Sequence, residues 1–238
     1  IANGNTTGTA ETGQVLTTSS QDGAVNGFCL GSDDMSVITV GSSNDDVYQY
    51  DLSVAGDLST ATFNNKSFDL GTLAGSTVSY PDDVRIKPDG TKLFVLDGSS
   101  QKVYSFDLST PNDITTASYD TVSPSMSSQE SSPNGIHFKP DGTKMWMVGS
   151  SGNMVFEYNL TTAWDVSTLT YAGIGRYVQT AITTAHSLWW NPDGTEMYVI
   201  GSSNHDVAKY NISPAWDLAG SIAAGTSGYN SHVALVDV

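Results

Sequence analysis

Four polar residues recur at matched points of the chain: Asn26, Asp82, Asn134 and His186, each six residues before Ser32, Pro88, Pro140 or Pro192. If the fold brings these points together, two amides, a carboxylate and an imidazole converge. Such a set could hold a cation or a water cluster, or orient a small ligand. Turn chemistry is the alternative, because Asn and Asp favour the bend that enters a strand. Three residues further on stand Cys29, Arg85, His137 and Trp189. This matched set differs most in charge and shape, so a discriminating ligand would be read here. The structural alternative pairs Arg85 with a nearby Asp and leaves His137 as a packing residue. Trp164 and Trp216 each precede an Asp in a connecting segment. An aromatic ring there either stacks on a sugar or anchors a partner, or packs its own loop.

Other catalytic constellations are missing. There is no G-x-S-x-G elbow and no H-E-x-x-H pair, and His137, His186, His205 and His232 are scattered. A glycosidase needs two carboxylates about 5–10 Å apart, and no pair is singled out. Of the Glu residues, Glu130 stands in a polar context, and Glu157 alternates with apolar neighbours as an outward, surface position would. Asp57, Asp113, Asp165 and Asp217 occur in every copy and read as caps that accept backbone N–H bonds. The clusters Asp33-Asp34, Asp45-Asp46 and Asp82-Asp83 do not match a calcium-binding loop, so no cofactor is expected, with Ca²⁺ on turn carboxylates as the alternative.

The matched positions come from a tandem repeat, the signature of a stacked architecture. Pro-Asp-Gly-Thr occurs at 88–91, 140–143 and 192–195, and Ser32-Asp33-Asp34 is a degraded first copy. Before each turn an alternating segment places Phe28 and Leu30, Val84 and Ile86, Ile136 and Phe138, or Leu188 and Trp190 on one face, which is a strand, A. A continuous apolar run such as Met145–Val148 follows and predicts strand B, buried on both faces. A Gly-Ser-Ser turn at 41–43, 98–100, 149–151 or 201–203 leads to strand C. Its aromatics 48/50, 104/106 and 156/158 face the core, and Gln49, Ser105, Glu157 and Lys209 are expected to face out. A weaker strand D is expected at 66–73, 118–125 and 175–182. Four antiparallel strands per repeat predict a β-propeller of four blades, with half of a dimeric eight-bladed ring as the alternative.

The unit PDGTKMWMVGSSGNMVFEYNLTTAWDVSTLTY at 140–171 resembles repeats of YVTN-like β-propellers, more specifically those of phage structural proteins and bacterial surface proteins, especially marine ones. The resemblance spans about 25 to 220 and implies a scaffold that binds something, not one activity. Trp164-Asp165 and Trp216-Asp217 fall in the C–D loop, so they are not the strand-end dipeptide of WD40 repeats.

Residues 1–24 read as an N-terminal arm with a ring-closing or exchanged strand, and 25–238 as the four-repeat propeller. Segments 13–20 and 231–238 both have strand character, so one can serve as the fourth D strand and the other can pair with a second subunit. The chain opens on Ile1, as a processed or excised product would.

Charge narrows the partners. The 25 acidic against 9 basic residues give −16, which disfavours nucleic acid. No run approaches the roughly 18 apolar residues of a membrane span. The single Cys29 excludes a disulfide framework and reads as a small buried thiol. These features point to a non-catalytic module, extracellular, cell-surface or virion-borne. Its partners would be subunits of the same or a larger assembly, or a cell-surface glycan. A polysaccharide-acting enzyme with its site at the channel mouth is the alternative.

Overall fold

The computed structural model describes residues 13–71, 78–178, 182–203 and 206–224. They form four antiparallel four-stranded sheets, the blades of a β-propeller. Blade 1 holds β1 (Val25–Leu30), β2 (Ser36–Gly41), β3 (Asp46–Asp51) and β4 (Thr62–Asp69). Blade 2 holds β5 (Pro81–Ile86), β6 (Lys92–Asp97), β7 (Lys102–Leu108) and β8 (Ala117–Val122). Blade 3 holds β9 (Pro133–Phe138), β10 (Lys144–Gly149), β11 (Met154–Leu160) and β12 (Leu169–Tyr177). Blade 4 holds β13 (Ala185–Trp190), β14 (Glu196–Gly201), β15 (Val207–Ser213) and β16 (Ser221–Ala224). Register repeats with the sequence: Phe28 faces Thr39, Val84 faces Val95, Ile136 faces Met147 and Leu188 faces Val199.

Local chemistry sets these hairpins. In the Pro-Asp-Gly-Thr turns Gly90, Gly142 and Gly194 all sit at φ 73°, where a side chain is strained, and the degraded copy puts Asp34 at φ 58°. The matched Asp residues cap the turn after strand C: Asp57, Asp113 and Asp165 accept the amides of Ser59, Thr115 and Ser167 at short 3-10 turns. Asp217 does the same for the Ala219 amide at 2.8 Å. Because that turn is compact, strand D begins at 62, 117 and 169, earlier than the sequence pattern predicts.

Three apolar clusters each join consecutive blades. Phe94, Phe138 and Trp164 meet between blades 2 and 3, with centroids 4.5–5.9 Å apart. Trp146, Trp190 and Trp216 meet between blades 3 and 4, at 4.4–5.6 Å. Trp164 and Trp216 take left-handed φ of 66° and 62° to reach over the turn of their own blade. Burying each such ring yields about 1.5–3 kcal/mol, enough to offset the backbone strain. Between blades 1 and 2 the place is held by Asn112, whose Oδ1 accepts from the Ser32 amide at 2.9 Å. A fourth cluster, Val37, Tyr48, Tyr50 and Leu52, lies on blade 1 itself, with Leu16 packed against it.

Two expectations need correction. Gln49, Ser105 and Glu157 do not face solvent: all three are buried. The face of blades 1, 2 and 3 that meets the following blade is covered by it, so the polar member of the strand C alternation is buried there. Gln49 accepts the Ile114 amide at 3.1 Å, and Glu157 accepts the Leu218 amide at 3.1 Å. The fourth outer strand is β16, whereas residues 13–24 form no strand. The segment 231–238 lies outside the described residues.

Candidate functional site

The innermost strands β1, β5, β9 and β13 neighbour one another in that order. Each carries one extra residue relative to its partner strand, a β-bulge, and the extra residue is Asn26, Asp82, Asn134 or His186. A bulge takes its side chain out of the two-face alternation and re-aims it. For the two Asn residues it aims at the next blade. Asn26 Nδ2 donates to the Pro81 carbonyl at 3.0 Å, and Asn134 Nδ2 donates to the Ala185 carbonyl at 2.9 Å. The two Asn residues thus stitch blade 1 to blade 2 and blade 3 to blade 4. His186 is half-buried and within electrostatic reach of Asp83.

Asp82 occupies the same bulge but brings a carboxyl. Burial pushes it up to about 7, and Asp97 and Asp83 add to the rise, while the Gly98 amide opposes it. The sign follows from linkage. The folded state holds the proton to a higher pH than the unfolded chain, so stability falls as pH rises from about 4 through about 7. Asp82→Asn removes that loss and installs the amide used by Asn26 and Asn134. The expected gain is about 1–2 kcal/mol at pH 8, below the full value of a three-unit shift because the channel mouth is partly solvated, and near zero at pH 4. Urea unfolding at the two pH values checks it; equal effects at both would contradict the assignment.

Inside the bulges, the second set is dominated by Arg85. Its Nε donates to the Ile136 carbonyl at 2.8 Å, and its Nη1 donates to the carbonyls of Phe28 and Val84, both at 3.1 Å. Its Nη2 lies 3.0 Å from Asp83 Oδ2. One guanidinium therefore ties three blades together across the channel. Asp83 Oδ2 also accepts the Ile136 amide at 2.9 Å. Burial pushes the Asp83 carboxyl up, and Arg85 is the strongest influence holding it down. Burial, then Arg85, takes His137 down to about 3, so its ring is neutral. Burial carries the Cys29 thiol up to about 12, leaving it unreactive as a nucleophile. Trp189 is exposed and tilts against Tyr198 at 5.6 Å.

The structure also holds a carboxylate pocket beneath the B–C hairpins, which the sequence pattern does not predict. In blade 3 Glu130 Oε1 accepts the amides of Ser132 and Ser151, at 2.9 and 3.1 Å, and Oε2 accepts that of Gly152 at 3.2 Å. In blade 2 Asp97 accepts the matching amides of Tyr80, Ser99 and Ser100, at 3.0–3.3 Å. The carboxylate arrives from a different strand: Asp97 stands where blade 3 has Gly149, and Gly149 leaves the room Glu130 fills. The repeat unit of blade 2 thus aligns Asp97, not Gly98, with the other hairpin glycines. In blade 1 Asp22 reaches only the Ala24 amide, at 2.7 Å. One carbon shorter than Glu130, it leaves Oδ2 buried without a partner among the described residues.

These groups support the blades more than they offer free chemistry. Among the described residues no three of His, Cys, Asp and Glu stand together as a metal site. No described helix is long and apolar enough to cross a membrane. A shallow cleft of about 290 Å³ between blades 2 and 3 is lined by Lys87, Lys92, Asp120 and Trp164. Its cations are already paired, Lys92 with Asp107 and Asp120 and Lys87 with Asp89.

No protein family and no curated sequence matches the chain. Solved structures do. A "putative 6-phosphogluconolactonase" from Bacteroides fragilis is similar with a TM-score of 0.57 at 12% identity, over 85% of this chain and 53% of that one. A protein from Lactobacillus plantarum gives 0.57 at 15%, over 85% and 54%. The WD40 repeats of RRP9 give 0.53 at 9%, over 84% and 50%. The chain spans about half the length of these structures. At such identities the likeness is one of fold, and what the strands, the blades and the comparisons together identify is a β-propeller.

Proposed function

We propose that this propeller is a non-catalytic interaction or structural module, displayed extracellularly, on a cell surface or on a virion. The observation that carries the reading is the fate of the channel polar groups. Asn26 and Asn134 are spent on the backbone of the next blade, and Arg85 joins Asp83 and three carbonyls. The Asp97 and Glu130 carboxylates are saturated by hairpin amides. Of the described carboxylates that raise Asp82, Asp83 is paired with Arg85 and Asp97 is held by hairpin amides, so neither is free to act as nucleophile or base. The net charge of −16 and the Ser/Thr-rich composition suit a solvated surface that docks a subunit or a glycan.

The enzymatic alternative rests on one group, the Asp82 carboxyl at about 7, a value suited to a general acid. A reducing-end assay over a panel of polysaccharides, run beside a glycan array, separates the readings. The expected result is no turnover above background and no difference between the native chain and Asp82→Asn. Hydrolysis that disappears in Asp82→Asn would establish the enzyme instead.

A further inference from the structure

The two ends of the propeller differ in charge. The end that carries the Pro-Asp-Gly-Thr turns and their degraded copy exposes Asp33, Asp34, Asp89, Asp141 and Asp193. At the other end the Gly-Ser-Ser hairpins meet the starts of the innermost strands, and the carboxylates are withdrawn. Asp22, Asp82, Asp97 and Glu130 are 3%, 8%, 0% and 2% exposed. Charges that remain there, among them Lys102, Arg176 and Asp206, sit on or beside strands C and D, farther from the channel. Around the channel mouth at blades 2 and 3 the exposed side chains bear hydroxyls: Ser79, Tyr80 and Ser99, then Ser131, Ser132 and Ser151.

Tyr80 breaks the repeat at this end. Its matched residues are Ala24, Ser132 and Thr184. The Tyr80 backbone is fixed, because its amide donates to Asp97 Oδ1 at 3.0 Å and its carbonyl accepts the Gly98 amide at 3.0 Å. The side chain is 48% exposed. A tyrosine held this way offers rigid contact area at little entropic cost. Two hydroxyl pairs flank it. Ser79 Oγ lies 2.8 Å from Ser99 Oγ, and Ser131 Oγ lies 2.8 Å from Ser151 Oγ. Ser99 Oγ donates to Asp97 at 2.9 Å, so Ser79 supplies the proton of the first pair, which is left to accept from a ligand. One proton serves the second pair, so that pair both donates and accepts. The pairs are neighbours: Gly98, bonded to Tyr80, lies so close to blade 3 that a Cβ on it would stand 3.5 Å from the Pro133 carbonyl oxygen.

We propose that Tyr80 and these serine pairs form the sugar-binding surface of the module, and that its ligand is a neutral hexopyranose unit of a glycan. The ring takes the apolar C–H face of the sugar, and the serines take its hydroxyls, which both donate and accept. With the carboxylates withdrawn and the other charges farther out, nothing at the mouth selects an anionic sugar. This inference rests on the interaction-module reading and names its ligand. The two fail separately, since the reducing-end assay reads turnover and the tests below read binding.

The labelled full chain is screened on an array of neutral, sialylated and sulfated glycans, and its affinity for the best-bound neutral glycan is measured by calorimetry. Neutral glycans are expected to bind, with an affinity that changes less than about twofold between about 50 and about 500 mM NaCl, because there is no ion pair to screen. Tyr80→Ala is expected to weaken binding at least about tenfold and Tyr80→Phe less than about twofold, while Ser131→Ala costs about threefold to tenfold, the share of one hydrogen bond. The ring is in solvent, so the thermal midpoint of Tyr80→Ala should match the native one, and a folding defect cannot imitate lost binding. No binding anywhere on the array at about 100 µM protein overturns the proposal. So does binding confined to charged glycans, and so does binding that Tyr80→Ala leaves intact.

Discussion

Replacing Arg85 by alanine is expected to lower the unfolding free energy by about 3–5 kcal/mol, the cost of leaving a buried charge without its partner. The guanidinium bonds carbonyls of three blades and pairs with Asp83, whose side chain is 5% exposed, so its loss strands one carboxylate and three acceptors together. Arg85→Lys is expected to recover little, because an ammonium is a point donor and cannot reproduce the planar fork that reaches Ile136 and Phe28 at once. The defect has a pH signature. Without Arg85 the Asp83 carboxyl rises further, so the folded state keeps its proton where the unfolded chain has lost it. The destabilisation is therefore smallest near pH 4 and grows as pH rises. Urea midpoints at pH 5 and pH 8 measure this; a loss under about 1 kcal/mol at pH 8 would remove Arg85 as the tie between blades.

Glu157→Ala is expected to cost about 2–4 kcal/mol, because two buried donors lose their acceptor at once. Those donors are Trp146 Nε1, at 3.1 Å, and the Leu218 amide, at 3.1 Å. Lys144, the third partner, is partly exposed and can turn to water, so it adds little. Glu157→Gln keeps an acceptor while losing the charge, and about 1–2 kcal/mol is expected. The damage should be local to the junction between blades 3 and 4. Hydrogen exchange at the Leu218 amide reads it directly: faster exchange in Glu157→Ala, with the Ile114 amide, held by Gln49 at the blade 1–2 junction, unchanged. Unaltered Leu218 protection would show that the bond is not what seats that turn.

These two residues show where sequence reasoning reached and where it stopped. Arg85 was recognisable as an odd member of a matched set, and its pairing with an Asp was the structural alternative. Its three carbonyl partners, 1 to 57 residues away, were not recognisable, because a backbone carbonyl has no residue-type signature. Glu157 is buried, where the alternation predicts solvent. Alternation along strand C says that the two faces differ; it does not say whether the polar face meets water or another blade. The aromatic loop residues tell a similar story. Gly56, Asn112, Trp164 and Trp216 share one left-handed position; Gly and Asn are the types that favour it, but Trp gives no hint of positive φ. The Asp97 and Glu130 exchange was hidden for another reason: the same amides take a carboxylate from either of two strands, so no single column of the repeat carries it.

Tandem spacing, period-two alternation and turn residues determined the blade, its strand order and its caps, because each of these acts within a few residues of chain. The number of repeats followed by counting. What lay beyond the sequence was every relation between blades: the bulges that swing Asn26 and Asn134 onto a neighbouring backbone, and the guanidinium across the channel. Those depend on how one sheet is rotated and set against the next. That placement is decided by the summed packing of residues roughly fifty positions apart, which no local pattern encodes.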